Sequence, residues 1–127
     1  MRGLLDTSVF IADERGRPLR GERLPDESAI SVVTLAELEL GVHLAPSADV
    51  RARRLRTLQL TRSTYVALPA DEAVASAFAE LVARARRSGR RPKVQDTWIA
   101  ATARVQRVPV YTQDSDFDDL AVDVVRV

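Results

Sequence analysis

The alternation of short extended runs with longer stretches of helical periodicity most restricts the fold open to this chain. Residues 4–5, 29–31, 65–68, 109–112 and 122–127 are short and largely apolar, as strands are. Between them lie residues 8–12, residues 32–44, a segment from Pro46 to about residue 60, a segment capped by Asp71, and residues 97–107, all of helical character. The clearest amphipathic stripe is Val74, Ala77, Phe78, Leu81, Val82 and Ala85, recurring at helical spacing. Residues 15–27 hold Gly16, Pro18, Gly21 and Pro25 among charges and predict a surface loop. Strands alternating with helices predict a parallel sheet joined by right-handed crossovers, with helices on both faces. At 127 residues, one domain over residues 1–127 is expected.

In open sheets of this kind, ligands bind outside the carboxyl ends of the strands. Acids recur there. Asp6 follows the first strand, Glu37 lies in the helix after the second, Asp96 starts a helix, and Asp114 and Asp116 follow the strand that ends at Thr112. Two of these positions also have a purely structural explanation. Asp6 before Thr7-Ser8 is a good helix N-cap, and Thr34-Leu-Ala-Glu37 fits a capping box. Meeting at one edge, however, the acids would repel, by about 4 kcal/mol for two unit charges 4 Å apart at an effective dielectric near 20. Such a cluster calls for a bound positive charge. The chain has no cysteine and His43 is its one histidine, which excludes thiol catalysis, zinc–thiolate sites and multi-histidine centres. With oxygen donors alone, Mg²⁺ or Mn²⁺ is the fitting ion, and its chemistry is water activation at phosphorus.

Four ordered segments, LLDTSVFIA, SVVTLAELELG, DTWIAATA and VYTQDSDF, span nearly the whole chain. Together they resemble the PIN-domain ribonucleases, in particular the VapC toxins of bacterial VapBC toxin-antitoxin modules. The resemblance implies an α/β fold, a Rossmann-like three-layer α/β/α sandwich with a mostly parallel central sheet. It also implies a Mg²⁺- or Mn²⁺-dependent endoribonuclease that cleaves RNA to arrest translation and growth, a homodimer, and a cognate VapB-type antitoxin. Asp6, Glu37, Asp96 and Asp114 fall on the family's acidic, catalytic positions, and Asp6, Asp96 and Asp114 on its metal-binding ones. Asp116 is the alternative to Asp114, which stands nearer the strand end and is preferred. Thr112 and Ser8 fall on hydroxyl positions that support the carboxylates. The competing possibility is a catalytically silent PIN-like module that binds RNA or protein.

The net charge of +1 is unevenly spread. Residues 51–62 hold five arginines and no acid, and residues 84–93 hold six basic residues and no acid. Such stripes are either solvated helix faces or sites for an anionic partner. Arg90, Arg91 and Lys93, close before Asp96, are the candidates for binding RNA phosphates. Trp98 and Phe117 would either stack on a base or pack in the core. Val9, Phe10, Leu38 and Val42 would either form a groove for an antitoxin segment or pack internally. No apolar run reaches the roughly 20 residues of a membrane span, and a soluble, cytoplasmic protein is expected.

Overall fold

The computed structural model describes residues 2–127. In chain order the elements are β1 (Arg2–Leu5), α1 (Thr7–Glu14), a 3-10 turn (Gly21–Arg23), β2 (Glu27–Ser31), α2 (Val32–His43), α3 (Ala48–Thr64), β3 (Val66–Leu68), α4 (Glu72–Arg87), α5 (Val94–Gln106), β4 (Val110–Thr112) and β5 (Val124–Arg126). The sheet order is β3-β2-β1-β4-β5, and every pairing is parallel. The centre of the sheet is therefore the first strand in sequence, held on one side by β2 and on the other by β4.

Alternation along β1 sends successive side chains to opposite faces and so defines the three layers. Leu4 packs with Val74, Leu81 and Ile99 under α4 and α5. Leu5 packs with Val9, Phe10, Leu38 and Leu58 under α1, α2 and α3. In α5, Ala100, Ala101 and Ala103 are fully buried, and these small side chains let the helix lie close to its neighbours. Gly3 allows a second close approach. A Cβ there would fall onto the ring of Tyr111, itself wholly buried, and within 3.1 Å of Pro25 Cγ.

Polar side chains start four of the helices by accepting from backbone N–H groups near the helix start: Asp6 for α1, Ser31 for α2, Ser47 for α3 and Asp71 for α4. For α2 this corrects the capping-box expectation. Ser31, not Thr34, is the N-cap, and Glu37 is released for another partner. The start of α5 is a second correction. The helix begins at Val94 instead of residue 97, and Asp96 lies inside its first turn. Val94 and Gln95 are exposed, so the turn has no apolar signature to reveal it. Of the two alternatives for Val9, Phe10, Leu38 and Val42, a groove or internal packing, the structure shows packing. All four are at most 8% exposed and belong to the core beneath the sheet. Phe117 is likewise fully buried, and Trp98 stacks on Phe78 with ring centroids 4.0 Å apart, so neither is a free platform for a base.

Candidate active site

Asp6 sits at the C-terminal end of β1, 2% exposed, where its own N–H donates to the carbonyl of Tyr111 in the neighbouring strand. Its Oδ2 accepts from Thr112 Oγ1 at 2.9 Å and from Ser8 N at 3.3 Å. Thr112 gives its single proton to Asp6, so Ser8 Oγ, 3.1 Å away, donates to Thr112. Ser8 in turn accepts from Gln113 N at 3.0 Å, while Thr112 also accepts from Asp114 N at 3.0 Å. The result is a chain of hydrogen bonds from the β4 end through two hydroxyls to one carboxylate, in which each bond polarises the next. Burial pushes the Asp6 pKa above the usual aspartate range, and these donors pull it part of the way back.

Glu37 is half-buried on α2. Thr7 Oγ1 donates to its Oε1 at 2.8 Å and lies 3.0 Å from Thr34 Oγ1. Its pKa is raised, first by burial and then by the negative charges of Asp6 and Asp114. Asp96, 9% exposed, has its pKa raised to about 7, by burial first and then by Asp6, Asp116 and Glu37, with some relief from Lys93. One of its oxygens, Oδ2, is buried with no hydrogen-bond partner. Buried carboxylate oxygens are seldom left this way, because desolvation without a donor is costly.

The five acids thus share one electrostatic field at the carboxyl edge of the sheet. Asp114 and Asp116 divide it between them: Asp114 acts on Glu37, whereas Asp116 acts on Asp96 and is bonded to Lys93 Nζ at 3.0 Å. Among the described residues no three acids converge into a ready set of ion ligands. The donor set still suits a hard, hydrated cation. Magnesium usually keeps several waters and binds proteins through only one or two carboxylates, so acids spaced around its water shell fit it. An unpartnered Asp96 oxygen within that field is a natural first contact.

Of the basic residues expected at the site, two are already engaged. Lys93 pairs with Asp116, and Arg90 Nη1 lies 3.0 Å from Asp119 Oδ1. Arg91 has no ion pair among the described residues. In the other arginine-rich stretch, Arg54 donates to the carbonyl of Gly41 at 2.7 Å, helping to join α3 to α2.

Sequence reasoning missed Thr7. The signal was present as a second hydroxyl directly after Asp6, but the contact that gives it meaning reaches 30 residues along the chain to Glu37. Thr7→Val keeps the shape and removes the donor. A stability loss of about 1 kcal/mol is expected in denaturant unfolding of this variant. Unchanged stability would mean that Glu37 is held by other means.

Comparison with known proteins extends the likeness over the entire chain. The model of the PIN domain matches residues 3–123. Ribonuclease VapC5 of Mycobacterium tuberculosis is 46% identical, spanning 98% of this chain and 95% of its own length. Ribonuclease VapC4 of the same organism is 44% identical, over 91% of this chain and 88% of its own. The crystal structure of VapBC-5 from Mycobacterium tuberculosis, a member of the VapBC family of toxin-antitoxin systems, matches with a TM-score of 0.88 at 44% identity, covering 99% of this chain and 97% of that one. Sequence and backbone likeness both run from end to end, beyond the reach of any single motif, and the chain accordingly belongs to the PIN-domain family, in the branch that holds the VapC proteins.

Proposed function

We propose that this protein is a metal-dependent endoribonuclease, the toxin of a VapBC-type toxin-antitoxin pair, that hydrolyses RNA and so arrests translation and growth. The observation that carries the reading is the buried, unpartnered oxygen of Asp96 among carboxylates whose charges raise its pKa. Relatives named as VapC ribonucleases support it. Asp6, Asp96 and Asp114 would hold Mg²⁺ or Mn²⁺, with Asp116, tied to Lys93, the less favoured fourth acid. When bound, such an ion supplies Lewis acidity, easing deprotonation of water and offsetting charge on phosphate oxygens.

The chain's own residues do the rest. Glu37, made a stronger base by burial and by the charges of Asp6 and Asp114, accepts the proton of the attacking water. Thr112 and Ser8 fix the carboxylate of Asp6 in one orientation. Arg91, and Arg90 and Lys93 when released from their acids, attract the phosphates of the RNA. Water oxygen bonds to phosphorus as the bond from phosphorus to the leaving ribose oxygen breaks.

The toxin-antitoxin assembly of the VapBC-5 relative supports a cognate VapB-type antitoxin as partner, and the proposal includes a homodimer in the cytoplasm. No helix among the described residues is long and apolar enough to cross a membrane.

The decisive experiment is cleavage of end-labelled single-stranded RNA by purified protein titrated with Mg²⁺ or Mn²⁺. Cleavage is expected to vanish in EDTA and return with the ion. Saturating metal, at about 100 times its Kd, is expected to raise stability by about 2.7 kcal/mol in a thermal melt. RNA binding without cleavage at any metal concentration would instead favour the silent-module reading.

A further inference from the structure

A charge of the wrong sign stands at the start of α5. Lys93 occupies the capping position of this helix, yet its side chain makes no capping hydrogen bond, whereas side-chain oxygens cap α1, α2, α3 and α4. A helix start carries partial positive charge, so an ammonium group there is locally unfavourable. It is also the one lysine among 19 basic residues. Helix formation does not account for it.

Its backbone is fixed and its side chain is not. The Lys93 carbonyl accepts from Thr97 N at 3.0 Å and from Thr97 Oγ1 at 2.8 Å, on the same helix turn that carries Asp96. Nζ donates to Asp116 Oδ2 at 3.0 Å, in a pair whose side chains are 70% and 36% exposed. Such an exposed pair contributes little to stability and is readily exchanged. The same ammonium charge acts on Asp96, Asp114 and Glu37, so one cation serves acids from α5, the acidic loop and α2. The pair lines a cleft of about 410 Å³ beside the acidic loop. Across that cleft Arg90 holds Asp119, which keeps the α4–α5 connection tied to the loop when Lys93 lets go. The buried Asp96 Oδ2 has no partner, Lys93 included. The ammonium thus eases the repulsion among the acids without taking the oxygen best placed for a metal. Lysine suits this part better than arginine, because its ammonium is a compact, hydrated charge on a flexible stem, whereas a guanidinium grips a carboxylate by two parallel bonds.

We infer that Lys93 is an exchangeable counter-ion built into the carboxylate edge: its ammonium neutralises Asp116 in the metal-free protein and gives up that carboxylate when a divalent cation enters beside Asp96. The inference rests on the metal-dependent reading and adds a residue that sets how tightly the ion is held. Lys93 makes the metal-free edge tolerable and competes with the ion that replaces it.

The test needs no RNA. With one lysine in the chain, protein made with isotope-labelled lysine gives a single lysine side-chain signal in nuclear magnetic resonance. On titration with Mg²⁺ this signal is expected to move from its position in EDTA to that of a solvated lysine, at the same midpoint as the heat of metal binding. Asp116→Asn is expected to put the signal at the solvated position before any metal is added. In calorimetry, Lys93→Met should bind Mg²⁺ about fivefold more tightly than the wild type, because one positive charge is removed from beside the ion. Lys93→Arg keeps the charge and should bind no more tightly than the wild type. Both changes fall on an exposed side chain, so the fold is retained. A lysine signal that stays in place through saturation, or equal affinities in the wild type and Lys93→Met, would overturn the inference and leave the metal-dependent nuclease standing. Binding by Lys93→Met alone would uphold the competition and remove the nuclease reading, and binding by none of the three proteins would remove both.

Discussion

Asp96→Asn is expected to abolish metal-dependent RNA cleavage, by at least a hundredfold, and at the same time to make the protein more stable in EDTA. The two effects have one cause. In the folded, metal-free chain the Asp96 carboxyl has its pKa raised to about 7, because burial and the charges of Asp6, Asp116 and Glu37 all disfavour its ionised form. The unfolded chain ionises it near the ordinary aspartate value. Between about pH 4 and pH 7 the folded state therefore holds a proton that the unfolded state has lost, so stability falls as pH rises through that window and stays low above it. A shift of about three units corresponds to about 4 kcal/mol, and residual solvent contact reduces this to about 2 kcal/mol at neutral pH. Asparagine removes the ionisable group, flattens the pH dependence and should raise the melting temperature by roughly 5–10 °C. Saturating metal should stabilise the wild type and leave the variant unmoved. If Asp96 only supported its helix, asparagine would leave cleavage intact, and that result would remove it from the site.

Gly3→Ala is expected to destabilise the fold by about 3 kcal/mol, the upper end for overpacking a core, although it adds a single methyl group in a strand. The new Cβ would collide with the ring of Tyr111 and press on Pro25. Tyr111 is wholly buried and pairs with Leu5, so it has little room to retreat. Its carbonyl also accepts from the N–H of Asp6, which carries the disturbance into the carboxylate edge. Denaturant unfolding measures the loss. A cost below about 0.5 kcal/mol would show that the β1–β4 seam opens more easily than its packing implies.

The alternation of elements was legible in the sequence because the strands are short runs and four of the five helices begin at a polar cap. Asp6 and Asp71 stand just where such caps are expected. The parallel order and the two-sided core followed from that alternation. What stayed hidden depended on contacts between distant residues. Glu37 has a sequence neighbour, Thr34, that could explain it locally, and only the fold shows its partner to be Thr7. The basic residues before Asp96 read as one uniform patch, yet Asp116 and Asp119 engage Lys93 and Arg90 and leave Arg86 and Arg91 uncommitted. Val9, Phe10, Leu38 and Val42 could not be told from a groove by spacing, because a stripe facing a sheet and a stripe facing a partner have the same period.

The placement of β1 in the middle of the sheet has a bearing on how the protein is made. The first strand to leave the ribosome must wait for β4, synthesised more than a hundred residues later, before Asp6 can receive the hydroxyl of Thr112. A nascent or truncated chain lacking its final strands therefore has no assembled active site. On the reading proposed above, no cleavage can begin until synthesis of the chain is nearly finished.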